Sequence, residues 1–289
     1  MTIHKVKYPF AVKHLSIHDS IDVAYCDEGN GEQTLVFIHG LANYLSSWKY
    51  QIKTLKNKFR CIAMDLPGNG LSSRGDYPYS MFFYAECVYK LIEQLNLKNV
   101  VICGHSMGGQ IAIILALRYP HLIEKLILIA PAGFENFNSR DVLLFEQGLS
   151  FGNMFYSDET GIESSIMQSF YTPNNEANHI ISDLKNLLQN QSLTQWKAMC
   201  KGSIMGMLNE QVSQYIQNIT CKTLIIFGNK DHFIPNKILH PFQTTEEIAK
   251  FGEAVIINSK LLLVPNAGHF VHIEKHDVVT NSISSFLLD

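Results

Sequence analysis

Six short apolar runs punctuate this chain: Thr34–Ile38, Arg60–Met64, Val100–Cys103, Lys125–Ile129, Thr223–Phe227 and Leu261–Val264. Each is nearly continuous in hydrophobicity instead of alternating, which is the pattern of strands buried on both faces. Helical periodicities lie between them. Ala85 to Leu97 sets Val88, Leu91, Ile92 and Leu95 on one face, and Gln110 to Tyr119 is apolar almost all round. Strands alternating with helices predict an α/β fold: a mostly parallel central sheet flanked by helices. Upstream, Val12–Ile17 and Ile21–Cys26 alternate more regularly about His18-Asp19-Ser20, which predicts an antiparallel hairpin at the sheet edge.

The strand rhythm stops after Ile129 and resumes at Thr223, an interval of about ninety residues that is too long for a structureless loop. It contains helix-length pieces near Val142–Leu149, Ile162–Phe170, Ala177–Leu188 and Val212–Ile216. It also carries Phe134, Phe137, Phe151, Phe155, Tyr156, Phe170, Tyr171 and Trp196. The chain therefore divides into a core of residues 1–133 and 217–289 and a helical insertion over 134–216. Most of the insertion's aromatics are expected to pack its own core rather than touch a ligand.

With 289 residues, 46% apolar and 17% charged, the chain can bury one large core or a core with a small accessory unit. A formal net charge of −3, with Lys and Arg scattered singly, gives no electrostatic footprint for nucleic acid. No segment approaches the roughly 18 apolar residues of a membrane span. Met1 to Ser20 lacks the continuous apolar stretch of a secretory signal. Six cysteines stand apart at 26, 61, 87, 103, 200 and 221 with no Cys-x-x-Cys, and three fall in strand-like runs. They read as reduced thiols of a cytoplasmic protein.

Gly104-His105-Ser106-Met107-Gly108 fits Gly-x-Ser-x-Gly, with an apolar strand before it and an apolar helix after it. A serine between two such elements is forced onto a tight turn, and the flanking glycines remove Cβ atoms that would clash there. Its hydroxyl then stands exposed at the carboxyl end of a sheet, the arrangement of a nucleophile elbow. The bland reading of the same residues is a strand-to-helix turn.

Three further segments extend the signal: Phe37-Ile38-His39-Gly40-Leu41, Phe227-Gly228-Asn229-Lys230-Asp231 and Pro265-Asn266-Ala267-Gly268-His269-Phe270. Together with the elbow, and with Asp65-Leu66-Pro67-Gly68-Asn69-Gly70-Leu71-Ser72, they make the chain resemble the α/β-hydrolase superfamily from residue 37 to 274. The resemblance implies a triad in the order Ser106, Asp231, His269. It implies an oxyanion hole built from the backbone N–H groups of Leu41 and Met107, a mainly structural turn at Asp65, and a cap over the active site formed by 134–216.

The chemistry requires such a set. A serine hydroxyl is a poor nucleophile at neutral pH and needs a base to take its proton, here His269. A carboxylate on the other ring nitrogen, here Asp231, fixes the tautomer and favours the imidazolium that forms. Rivals exist among the twelve histidines and the acids. His105 adjoins the serine, but its side chain is expected to point away across the elbow. His232 adjoins Asp231. His272 and His276, four apart on what reads as one helix, have a spacing that can bind metal, but the intervening glutamate is one place from the zinc-protease pattern. Glu135, shortly after the Lys125–Ile129 strand, is the best alternative acid.

The expected activity is cleavage of a carboxylic ester or related acyl compound through an acyl-enzyme, with no cofactor and no metal. The expected substrate is a small, largely apolar molecule, since the insertion is aromatic and poor in charge. A carbon–carbon bond hydrolase of a diketo acid shares the same triad but needs a cationic anchor, for which the insertion offers Arg140, Lys185, Lys197 and Lys201. A slow-turnover ligand receptor on the same fold is the third reading. Nothing in the sequence specifies an oligomeric state.

Overall fold

The computed structural model describes residues 6–18, 20–151 and 158–289, with backbone only for 149–151. Its eight strands are β1 (Lys13–His18), β2 (Ile21–Glu28), β3 (Thr34–Ile38), β4 (Arg60–Met64), β5 (Val100–His105), β6 (Ile123–Ile129), β7 (Lys222–Gly228) and β8 (Ser259–Val264). They form one sheet in the order β1-β2-β4-β3-β5-β6-β7-β8. The β1–β2 and β2–β4 pairs are antiparallel, and every other neighbouring pair is parallel.

Ten helices accompany the sheet among the described residues: α1 (Lys49–Leu55), α2 (Met81–Gln94), α3 (Met107–Arg118), α4 (Ser139–Phe151), α5 (Glu159–Ser169), α6 (Asn175–Gln189), α7 (Leu193–Asn209), α8 (Thr245–Val255), α9 (Val271–Glu274) and α10 (His276–Leu288). None is long and apolar enough to cross a membrane. The strand period of two sorts each apolar run between two faces. Val36, Ile102, Leu128 and Phe227 share an apolar cluster with residues of α2, α3 and α8. Leu35, Val101, Ile127 and Ile226 share another with residues of α1 and α10. Burial on both sides is why these runs do not alternate.

The register brings the carboxyl ends of the central strands together, with Ile38 opposite Gly104 and Gly104 opposite Leu128. The turns that leave β3, β5, β7 and β8 therefore crowd one edge of the sheet, where ligands of such sheets bind.

Helices α4 to α7 and a 3₁₀ turn at Ser213–Asn218 lie between β6 and β7. Side-chain caps open all four: Asn138 accepts from the N–H groups of Arg140 and Asp141, Asp158 from that of Gly161, Asn174 from those of Glu176 and Ala177, and Ser192 from that of Gln195. The longest, α7, is not among the helix-length pieces read from the sequence, and it holds two residues of low helix propensity, Gly202 and Gly206. A Cβ at Gly206 would stand 3.0 Å from the Ser80 Cα, so glycine serves close packing of α7 on the start of α2.

Phe170 and Trp196 of the insertion are buried in the same cluster as the sheet, whereas the sequence reading gave the insertion a core of its own. Tyr171 is 44% exposed. Phe155, Tyr156, the Phe151 side chain and Asp19 lie outside the described residues. The single helix expected across His272 and His276 is two, broken at Lys275 (φ −123°, ψ 45°). His272 packs on Trp48 at 4.8 Å and His276 stacks on Tyr50 at 4.2 Å.

Candidate active site

Ser106 joins the end of β5 to the start of α3 with φ 54° and ψ −119°, a conformation that L-residues seldom adopt. Strain of this kind persists only where the surroundings enforce it. Here they do: a Cβ at Gly104 would lie 2.2 Å from the Gly108 carbonyl oxygen, and one at Gly108 would lie 2.3 Å from that of Ile38. The carbonyl of Ser106 accepts from the N–H groups of Gly109 and Ala132, which pins the turn from both sides. Met107 is the first residue of α3, so its N–H belongs to the helix end whose amides have no partner within the helix.

His39 shapes the neighbouring turn. Its Nδ1–H donates to the Gly40 carbonyl at 2.7 Å, and its Nε2 accepts from the Leu66 N–H at 3.0 Å. One nitrogen donating and one accepting means a neutral ring, and full burial pushes its pKa down to about 4. Because a peptide unit is planar and trans, holding the Gly40 carbonyl on one side turns the Leu41 N–H of the same unit to the other. Asp65, as the sequence suggested, is internal to its loop. It accepts from the Tyr8 hydroxyl (2.6 Å) and from the N–H groups of Leu45 (2.7 Å) and Leu71 (2.8 Å), and burial raises its pKa to about 6.

Asp231 follows β7 and His269 follows β8. Asp231 Oδ1 accepts the backbone N–H groups of Phe233 (2.7 Å) and Ile234 (3.0 Å), which leaves Oδ2 to accept from His269 Nδ1 at 2.8 Å. A histidine held in this way presents Nε2 as a proton acceptor. Among the described residues no hydrogen bond joins His269 to the Ser106 hydroxyl; such contacts commonly tighten only with substrate in place. Glu135, the alternative acid, is bound elsewhere, to the Asn236 N–H and to His240, both at 2.8 Å.

His105 does not point away. Its Nε2–H donates to the His269 carbonyl at 3.0 Å, and its ring packs at 4.8 Å from that of His269 and 4.3 Å from that of His272. Burial holds it well below the usual histidine range. The His269 turn is also clamped by Glu274, which accepts from the N–H groups of Gly268 (2.8 Å), Tyr171 (3.0 Å) and Thr172 (3.0 Å). Sequence reasoning missed this clamp and the His240 partner, since each bond spans a contact with no motif behind it.

Leu41, Ser106 and His269 line one cavity of about 140 Å³. The insertion contributes Phe137 and Phe145 near and on α4, and Ile204, Met207 and Leu208 from α7. No Lys or Arg lines it among the described residues. Arg140, Lys197 and Lys201 are exposed, and Lys185 pairs with Glu163 at 2.7 Å.

The sequence matches the α/β-hydrolase fold family over residues 33–276. It is 26% identical, over 93% of its length and 95% of the relative's, to an uncharacterised hydrolase of Bacillus subtilis (strain 168). It is 28% identical, over 87% and 93%, to the pimeloyl-[acyl-carrier protein] methyl ester esterase of Nitrosospira multiformis. Among solved structures, a probable hydrolytic enzyme of Pseudomonas aeruginosa PAO1 superposes with a TM-score of 0.80 at 22% identity, covering 97% of this chain and 95% of that one. The elbow, the sheet order and the family match coincide: this chain is a member of the α/β-hydrolase fold family.

Proposed function

We propose that this protein is a serine hydrolase that cleaves a small carboxylic ester or related acyl compound, with Ser106 as nucleophile, His269 as base and Asp231 as its orienting acid. The observation that carries the reading is the meeting of a serine in forced left-handed backbone with a carboxylate-bound histidine at one cavity. His269 Nε2 takes the Ser106 proton as Oγ attacks the carbonyl carbon. The N–H groups of Leu41 and Met107 stabilise the oxyanion, and each such donor is worth roughly 2.7–4 kcal/mol of barrier in comparable sites. Collapse expels the alcohol, which takes its proton from His269 and leaves an acyl-Ser106 ester. Water, deprotonated by the same histidine, then attacks that ester and frees the acid.

Residues 134–216 act as the cap, since α4 and α7 supply the cavity's apolar wall. A volume of about 140 Å³ suits a benzene-sized group, and so a short acyl chain. The absence of a lining cation among the described residues weighs against a diketo-acid substrate, whose carboxylate would be desolvated without a partner. The methyl ester esterase relative is consistent with ester chemistry.

The test is turnover of p-nitrophenyl esters from acetate to octanoate beside a vinylogous diketo acid. Multiple rapid turnovers of the shorter esters are expected. Rapid cleavage of the diketo acid with poor ester turnover would overturn the reading, and a single slow turnover would favour a receptor.

A further inference from the structure

The cavity has a second polar corner. Glu135, 7% exposed, lines it together with Gln110 and Asn236. Both hydrogen bonds that Glu135 accepts, from the Asn236 N–H and from His240 Nδ1, fall on Oε1. Among the described residues Oε2 accepts none, although each carboxylate oxygen has room for about two donors. Gln110 is in a similar condition. Its Nε2 donates to the carbonyls of Met207 (3.2 Å) and Glu210 (2.8 Å), which fixes the amide orientation and leaves its Oε1 as an acceptor.

Two acceptor oxygens in a wall that no Lys or Arg lines among the described residues call for a donor. Neither oxygen is fully buried, and a bound ligand that shuts either off from water without bringing a donor costs it its hydration, so a ligand that supplies a donor is preferred over one of the same shape that does not. Anions are disfavoured for the complementary reason: Glu135 lines the cavity, Asp231 stands behind His269, and no Lys or Arg lines it among the described residues.

We propose that Glu135 is a specificity-determining residue, whose Oε2 receives a hydroxyl or ammonium group carried on the chain of the ester that Ser106 attacks. The inference rests on the serine-ester reading above and names a substrate class within it. Holding the Asn236–His240 loop requires only Oε1, so a purely structural role for Glu135 does not produce the preference.

The experiment compares kcat/KM for p-nitrophenyl esters from butanoate to octanoate whose chains end in methyl, hydroxyl, ammonium or carboxylate. The hydroxyl or the ammonium series is expected to exceed the methyl series by about tenfold or more at its best chain length, with carboxylates slowest. Glu135→Gln keeps an acceptor for Asn236 and His240 but puts an amide nitrogen where Oε2 stood, and it should bring the donor-to-methyl ratio towards one. A wild-type ratio near one at every length overturns the proposal, and so does a ratio that survives Glu135→Gln at full size. If that variant does not fold, the wild-type series still decides. Absence of turnover on every ester, with no fluorophosphonate labelling of Ser106, instead overturns the serine-ester reading and this inference with it.

Discussion

Two carboxylate–histidine pairs stand by one cavity, each with an oxygen 2.8 Å from Nδ1, and they are built for different work. The Asp231 and His269 side chains are 0% and 6% exposed; those of Glu135 and His240 are 7% and 16%. Asp231 engages both oxygens: backbone amides two and three residues ahead hold Oδ1, so Oδ2 faces His269. Glu135 engages one. His240 lies nearly flat on Phe137, with ring centroids 5.1 Å apart and 12° between the planes. A carboxylate with both oxygens committed can orient an imidazole and balance its charge, but it has little to offer a substrate. One with a free oxygen can meet a ligand directly. Identical pair chemistry therefore supports an orienting acid in one corner and a proposed substrate contact in the other.

The contrast rests on the proposed role of Ser106 as nucleophile, since on that reading neither pair has a reaction to serve without it. Ser106→Ala should fold normally and lose on the order of 10³–10⁶ in kcat, together with all fluorophosphonate labelling. Labelling that persists in this variant, mapped by peptide mass, would place the nucleophile elsewhere.

Exchanging the roles of the two acids is the next break. Asp231→Asn should lower kcat by about 10⁴, because an amide in that position favours the wrong histidine tautomer. Glu135→Gln should act mainly through the substrate ratio, with a loss in kcat on methyl-ended esters at least ten times smaller. Steady-state kinetics of the two purified variants settles it: if the glutamine variant is the more damaged on every ester, the orienting acid comes from the end of β6.

A smaller effect separates positioning from contact. Glu274 ties the Gly268 amide to the turn between α5 and α6, so it acts on His269 only through the backbone. Glu274→Gln loses at least one of its acceptor positions and should cost roughly tenfold in kcat by loosening the base. The loss should be the same for all ester endings. An altered donor-to-methyl ratio in this variant would mean that Glu274 influences substrate selection and that the division between the two corners is false.

The legible parts of the molecule are those where one residue's chemistry fixes the backbone locally. Thr34–Ile38 and Arg60–Met64 coincide with β3 and β4 because a strand buried on both faces leaves a run with no polar interruption. The β1–β2 hairpin was legible from alternation, whereas α2 begins four residues before the expected Ala85 because Ser80, whose side chain accepts from the Phe83 N–H, caps it. The capping box Thr244/Glu247 marks α8 equally well and was available as a sequence signal. Contacts between distant segments left no such trace. Gln110 and Glu210 meet across 100 residues and Glu135 and His240 across 105, and no local pattern encodes either. The strand–turn–helix geometry of the elbow could thus be read from five residues, while the cavity wall beside it is assembled by tertiary packing.

Three further histidines lack any carboxylate and extend the comparison to stability. His39, His105 and His272 are buried and neutral: burial lowers the first to about 4, the second well below its ordinary value, and the third to about 3. Each binds a proton in the unfolded chain at pH values where the folded chain does not, so its contribution is fully present above about pH 6.5 and is lost as the pH falls towards 4. Asp65, raised by burial to about 6, and Glu135, raised in the same way, have the opposite sign, since the folded protein holds their protons more tightly. The three histidines set the direction, since each fully shifted one is worth about 1.4 kcal/mol per pH unit across that window and the two acids offset only part of it. Melting temperature should therefore fall as pH is lowered from 6.5 to 4.5. His272→Phe, which replaces a ring with no protein partner on either nitrogen among the described residues, should flatten the slope by about one proton. Scanning calorimetry of both proteins across this range measures the difference. An acid limb as steep in His272→Phe as in the wild type would show that this buried ring does not take up its proton on unfolding.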